Sequence, residues 1–152
     1  MRFIKENKFK IFLKKMKIAF ILPDLRAGGA EKVCINLATD WITKGHSITF
    51  ILMSKKGEYL KNISKKIKIV TLNKKKLRQI FFPLISIFNN TKPDIILAQM
   101  WPLTSITVLA WLASFKIGKL FLVDHVHLSS SVEKEIFFPK KLFKIIIKIT
   151  YL

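Results

Sequence analysis

Apolar residues come in short runs that alternate with helix-spaced patterns along this chain. Lys17 to Leu22 is a β-branched and aromatic run ending at Pro23, the form of a strand buried on both faces of a parallel sheet. The loop PDLRAGG follows. From Ala30, the apolar positions Val33, Cys34, Leu37, Ala38, Trp41 and Ile42 keep the i, i+3, i+4, i+7 spacing of one helical face. Gly45 stands where a helix stop is expected. Ser47 to Met53 and Lys66 to Leu72 read as the second and third strands, joined by the lysine-rich stretch SKKGEYLKNISKK. The first strand, helix and second strand make a βαβ unit, which predicts a right-handed crossover.

Lys76 to Asn89 repeats the helical period through Leu77, Ile80, Phe81, Leu84, Ile85 and Phe88, with Pro83 predicted to kink it. Lys92-Pro93-Asp94 punctuates the chain before a fourth strand, Ile95 to Ala98. The uncharged run from Ile95 to Phe115 is long enough to span a bilayer. Gln99, Pro102, Thr104, Ser105 and Thr107 dilute it, and Trp101-Pro102 divides it into a strand and a helix over Leu103 to Phe115, with a transmembrane helix as the alternative. Lys119 to Asp124 is the fifth strand. The expected fold is α/β: a Rossmann-like parallel sheet with helices on both faces. Pro139 to Tyr151 sets Leu142, Ile145, Ile146 and Ile149 on one helical face and four lysines elsewhere. Internal repeats and low-complexity linkers are absent from the sequence.

With 152 residues, 51% of them hydrophobic, the chain can build one domain with a real core. Its 28 basic and nine acidic residues give a net charge of +19, a field that attracts anions without selecting among phosphates, membranes and nucleic acid. Nearly all of the positive charge is lysine, only Arg2, Arg26 and Arg78 being arginine, so the bidentate forks that favour phosphate are scarce. A single cysteine, Cys34, excludes a disulfide framework and fits a reducing cytoplasm. The first residues, MRFIKENKFKIFLKK, are too often interrupted by lysine to be a signal peptide and read as a basic extension over residues 1–15.

Ligands of open parallel sheets bind beyond the carboxyl ends of the strands. The informative segments are therefore Asp24 to Gly29, Ser54 to Gly57, Gln99 to Pro102 and Asp124 to Ser131. Gly28-Gly29 precedes a helix whose first turn offers free N–H groups and a positive dipole end. On spacing alone it is either a tight turn or an anion cradle. AGGAEK lacks the G-x-G-x-x-G of nicotinamide sites, and no G-K-[ST] follows to make a P-loop. His125 and His127, in LVDHVHLSSS, are candidates for bonding a substrate hydroxyl or stabilising developing charge. A third ligand for a metal is not evident, and the four aspartates form no D-x-D. His46 lies at the opposite end of the sheet and reads as structural, Cys34 as a small buried hydrophobe, and Glu31 as a first-turn acid complementing the helix dipole.

The segments IAFILPDLRAGGAEKVCINLATDWITKGHSITFIL, KPDIILAQMW and FLVDHVHLSSS together resemble the retaining glycosyltransferases of family four. G-G-A-E, the N-L-A helix and G-H before the second strand occur in order. The resemblance runs from about Lys17 to the end and implies one half of a GT-B fold, the amino-terminal, acceptor-side domain at residues 16–152. It implies that Gly28 and Gly29 form the loop meeting the donor diphosphate and the transferred sugar. It assigns His125 to contact with that sugar, as the catalytic candidate, and Trp101 and His127 to the acceptor side. Transfer in the family uses no bound metal, and no cofactor is expected. The family's spaced glutamates and its donor-binding lysine and arginine belong to its second domain.

The resemblance implies a nucleotide-sugar donor and a glycan or lipid-linked acceptor. A chain stopping at Thr150-Tyr151-Leu152 is then expected to be a truncated or split half, inactive until a separate donor-domain chain completes it. The lysine-rich stretches Lys74 to Asn89 and Pro139 to Tyr151 suit either an anionic membrane surface or ordinary core helices with solvated lysines. Cytoplasmic placement, peripheral on the inner face of the membrane, follows from the first alternative. A competing function is a non-catalytic basic module that binds membrane or nucleic acid by charge. Nucleic acid is the weaker partner, because no recognition motif accompanies the dispersed lysines.

Overall fold

The computed structural model describes residues 15–124. Strands β1 (Lys17–Leu22), β2 (Ser47–Leu52), β3 (Lys68–Thr71), β4 (Ile95–Gln99) and β5 (Lys119–Val123) form one sheet in the order β3-β2-β1-β4-β5. Every pairing is parallel, and β1 at the centre registers Phe20 with Phe50 on one side and with Leu97 on the other. All but the first residue of β1 are buried, which is why this strand carries no polar alternation.

Helix α1 (Gly29–Thr43) covers one face, while α2 (Phe81–Thr91) and α3 (Leu103–Ala113) cover the other. The period-two geometry of the strands sends Ile18, Phe20 and Leu22 toward α1, with Ile48, Phe50 and Leu52 beside them. Ala19 and Ile21 point the opposite way, to Leu84 and Phe88 of α2 and Ala110 of α3. This is the expected Rossmann-like α/β arrangement. On the α1 side, the Phe20 ring meets Phe50 and Trp41 at centroid distances of 5.1 and 5.7 Å.

Helix α1 ends as its sequence requires. Gly45 takes φ +88°, its N–H donates to the Ile42 carbonyl, and the His46 N–H donates to that of Trp41, which is a Schellman stop. His46 Nδ1 then accepts from the Met16 N–H at 3.3 Å, tying the helix stop to the start of β1. The buried stripe of α1 is narrower than its apolar pattern. Cys34 and Ala38 lie at its centre, with Ile35, Trp41 and Ile42 packed beside them, whereas Val33 and Leu37 remain exposed.

Pro83 corrects an expectation. It does not kink a continuous helix, because the segment opens with a 3-10 turn over Leu77–Ile80 and the α-helix starts at Phe81. Proline therefore stands in the first helical turn, where its missing N–H has no intrahelical partner to lose. The third strand is also shorter than expected, since its Lys66 and Ile67 lie in a turn where the Ile67 N–H donates to the Ser64 carbonyl. The apolar run from Ile95 to Phe115 divides into β4 and α3, and no helix among the described residues is long and apolar enough to cross a membrane. The helical pattern at Pro139 to Tyr151 and the extension before Lys15 lie outside the described residues.

Candidate functional site

Loops that follow neighbouring β1 and β4 leave the carboxyl edge of the sheet in opposite directions. Residues 23–28 lead to α1 on one face, and residues 100–102 lead to α3 on the other. That divergence is the topological switch point, where a crevice opens in a doubly wound sheet. Gly28, Gly29 and Trp101 all stand at this edge, on the loops of adjacent strands.

The first loop is clamped by the loop after β2. Leu25 N–H donates to the Lys56 carbonyl at 2.9 Å, and Tyr59 N–H donates to the Leu25 carbonyl at 3.2 Å. Gly57 makes this approach feasible, having φ +116° and a position where a Cβ would overlap the Leu25 backbone. The Ala27 N–H donates to Glu58 Oε2 at 2.9 Å. Asp24, 6% exposed, accepts from both the backbone N–H and Nε of Arg26. The loop is thereby held by contacts within the fold.

Gly28 is the N-cap of α1 in an extended conformation, and Gly29 is the first helical residue. The two glycines differ in their surroundings. A Cβ on Gly28 would collide with the Glu31 carboxylate, whereas a Cβ on Gly29 would meet nothing within 4 Å. Gly28 N–H is taken by the Arg26 carbonyl, and the helical ladder begins with Lys32 N–H on the Gly28 carbonyl. The N–H groups of Gly29, Ala30 and Glu31 are therefore left without partners among the described residues. Glu31 is buried, with 8% exposure, although a first-turn acid is ordinarily at the surface.

Across the crevice, Met100 adopts φ +62° and the Trp101-Pro102 peptide is cis. The Trp101 N–H donates to Asp124 Oδ1 at 2.8 Å, so the residue directly after β5 holds the loop after β4. Gln99, 3% exposed, lies at the end of β4 beneath it. His125 and His127 lie outside the described residues. Asp124, Glu58 and the buried state of Glu31 add to the site as read from sequence. The only sequence signal for Asp124 was its place at a strand end, and Glu58 lies in a connection with no motif.

Cys34 is 1% exposed on α1, and burial together with the nearby Glu31 charge pushes its thiol up to about 12. It is packing material rather than a nucleophile. Among the described residues, no group of three His, Cys, Asp or Glu side chains is placed to hold a metal ion.

No family model matches the chain, and no curated protein matches it. Among solved structures, the chain is similar to the pilus retraction motor PilT with bound ADP, at 16% identity and a TM-score of 0.37. The likeness covers 95% of this chain and 43% of that one, so this chain spans less than half of the motor's length. Overlap that loose carries no functional weight, and the Rossmann-like arrangement stands on the strand order and the two helical layers themselves.

Proposed function

We propose that this chain provides the acceptor-side domain of a retaining glycosyltransferase that moves a sugar from a nucleotide-sugar donor to a glycan or lipid-linked acceptor. The carrying observation is the start of α1 at the switch-point edge, where the N–H groups of Gly29, Ala30 and Glu31 have no partner among the described residues and a Cβ on Gly29 would meet nothing within 4 Å. Those donors and the helix dipole favour electron-rich ligand atoms. The ordered motifs G-G-A-E, N-L-A and G-H lie on this same loop and helix, which adds the family resemblance to the geometry.

The domain supplies one wall of a cleft, and a donor-binding domain in the same or another chain supplies the other. In this reading Gly28 and Gly29 approach the donor, His125 meets the transferred sugar, and Trp101 and His127 face the acceptor. Peripheral contact with the inner face of the cytoplasmic membrane is part of the proposal. Phe82 is 76% exposed and follows the exposed Lys75, Lys76 and Arg78 in the chain, an aromatic and cationic combination suited to an anionic lipid surface.

The test is a titration of the ¹⁵N-labelled full chain with a panel of nucleoside-diphosphate sugars, compared with polyadenylate and with salt. Perturbation centred on the amides of Gly29 to Glu31, lost in Gly29→Val, is expected. Binding that spreads over the lysines, vanishes with salt and ignores Gly29→Val would replace this reading with the charge-driven basic module.

A further inference from the structure

We infer that the amino edge of the sheet carries a binding site for a phosphoryl oxyanion, a terminal phosphate or a diphosphate. A recess of about 410 Å³ opens there, where β2 and β3 begin and α1 has just stopped. This edge is opposite the one that carries Gly28, Gly29 and Trp101, so the site does not depend on the glycosyltransferase reading. Lys15, Lys66 and Lys68 bring ammonium groups to the recess, His46 an imidazole, and Ser47 and Thr49 hydroxyls. These residues come from distant parts of the chain. Lys15 precedes β1, Ser47 and Thr49 belong to β2, and Lys68 opens β3 as the register partner of Thr49, which puts those two side chains on one face. All three lysines are exposed, and none forms an ion pair among the described residues. No carboxylate joins them in the recess among the described residues.

The imidazole is held in one role. His46 Nδ1 accepts from the Met16 N–H at 3.3 Å, so the ring proton sits on Nε2 and remains available as a donor. The backbone around it is fixed as well, by the His46 N–H on the Trp41 carbonyl and the Ser47 N–H on the Met16 carbonyl. The nearby carboxyl end of α1 is the negative end of its dipole, but the carbonyls of Asp40, Trp41 and Ile42 are engaged by the N–H groups of Lys44, His46 and Gly45. Three ammonium groups at one recess repel one another, and an anion between them relieves that repulsion. A neutral ligand leaves it in place, and a metal cation adds to it. A carboxylate offers two oxygens, whereas a phosphate or diphosphate offers enough acceptors and charge for the ammoniums, the imidazole N–H and the hydroxyls together. Lysine binds phosphate as a point charge and needs no fixed fork geometry, which suits donors arriving from separate strands and turns.

The experiment titrates the ¹⁵N-labelled full chain with inorganic phosphate and pyrophosphate at fixed ionic strength, and in parallel measures co-sedimentation with phosphatidylglycerol and with phosphatidylcholine vesicles. Pyrophosphate is expected to give saturating shifts centred on the amides of His46 to Thr49 and Lys66 to Lys68. The double variant Lys66→Gln, Lys68→Gln should weaken binding by about tenfold or more. Both side chains are exposed, so its unfolding midpoint should stay at the wild-type value. The control pair Lys61→Gln, Lys116→Gln removes the same charge from exposed positions outside the recess and should change affinity by less than about twofold. Saturation by the soluble anions identifies a free phosphate or diphosphate as the ligand. Binding to phosphatidylglycerol vesicles alone, lost in the Lys66 and Lys68 variant and kept in the control, identifies a lipid headgroup phosphate. The site is overturned if the soluble anions shift amides throughout the lysine-bearing segments without saturating, or if neither the anions nor the vesicles distinguish the two double variants.

Discussion

The backbone N–H of Trp101 donates to the carboxylate of Asp124 at 2.8 Å, joining the loop after β4 to the residue that follows β5. Asp124 therefore fixes where the β4 loop sits over the crevice. Asp124→Ala removes a charged acceptor and is expected to cost about 1–2 kcal/mol, whereas Asp124→Asn retains an acceptor oxygen and costs less. Urea unfolding of the two variants, with Trp fluorescence as the probe, checks the order.

The glycines of the crevice are expected to respond oppositely to alanine. Gly29→Ala places its methyl in open space within a helix and should be neutral or stabilising by up to about 1 kcal/mol. Gly57→Ala combines φ +116° with collision against the Leu25 backbone and should cost more than about 2 kcal/mol. Chemical denaturation midpoints measure both. A destabilising Gly29→Ala would mean that the open space is closed in solution.

Cys34 sets a pH dependence with a definite sign. Its thiol is raised from 9.0 to about 12 in the folded chain, while the unfolded chain ionises near the ordinary value. From pH 9.0 upward the unfolded state loses this proton first, so stability is complete below that value and declines toward pH 12. Cys34→Ala should flatten this part of the stability profile. Thiol reagents at pH 8 should modify the wild type only at the rate of opening.

Phe82 offers a test of membrane contact that leaves the core alone. Phe82→Ser should lower co-sedimentation with anionic vesicles while leaving the unfolding midpoint unchanged, because the ring is 76% exposed. Equal sedimentation of the two proteins, or equal binding to neutral vesicles, would remove the membrane from the proposal.

Strands β1 and β5 and helix α1 were legible because each is governed by a local signal. Ile18 to Leu22 is an unbroken apolar run, and Gly45 stops the helix from the position that needs positive φ. Trp101-Pro102 marks the end of β4 for an equally local reason. Pro83 misled because the same residue kinks a helix from within or opens one at its first turn, and sequence spacing does not fix where the first turn begins. The apolar spacing of Val33 and Leu37 likewise specified a helix without specifying how wide a stripe the sheet would bury.

The order of apolar runs and helical periods determined a parallel α/β sheet and placed two glycines at a helix start, since strand and helix periodicities are properties of neighbouring residues. The sequence could not distinguish a turn from a cradle at those glycines. That distinction depends on contacts across the fold. The β2 loop clamps Leu25 and Ala27, Glu31 turns back over Gly28, and Gly29 is left facing open space. Burial and the partnering of N–H groups are decided by residues distant in the chain, so only the tertiary structure separated Gly28, packed against a carboxylate, from Gly29, where a Cβ would meet nothing within 4 Å.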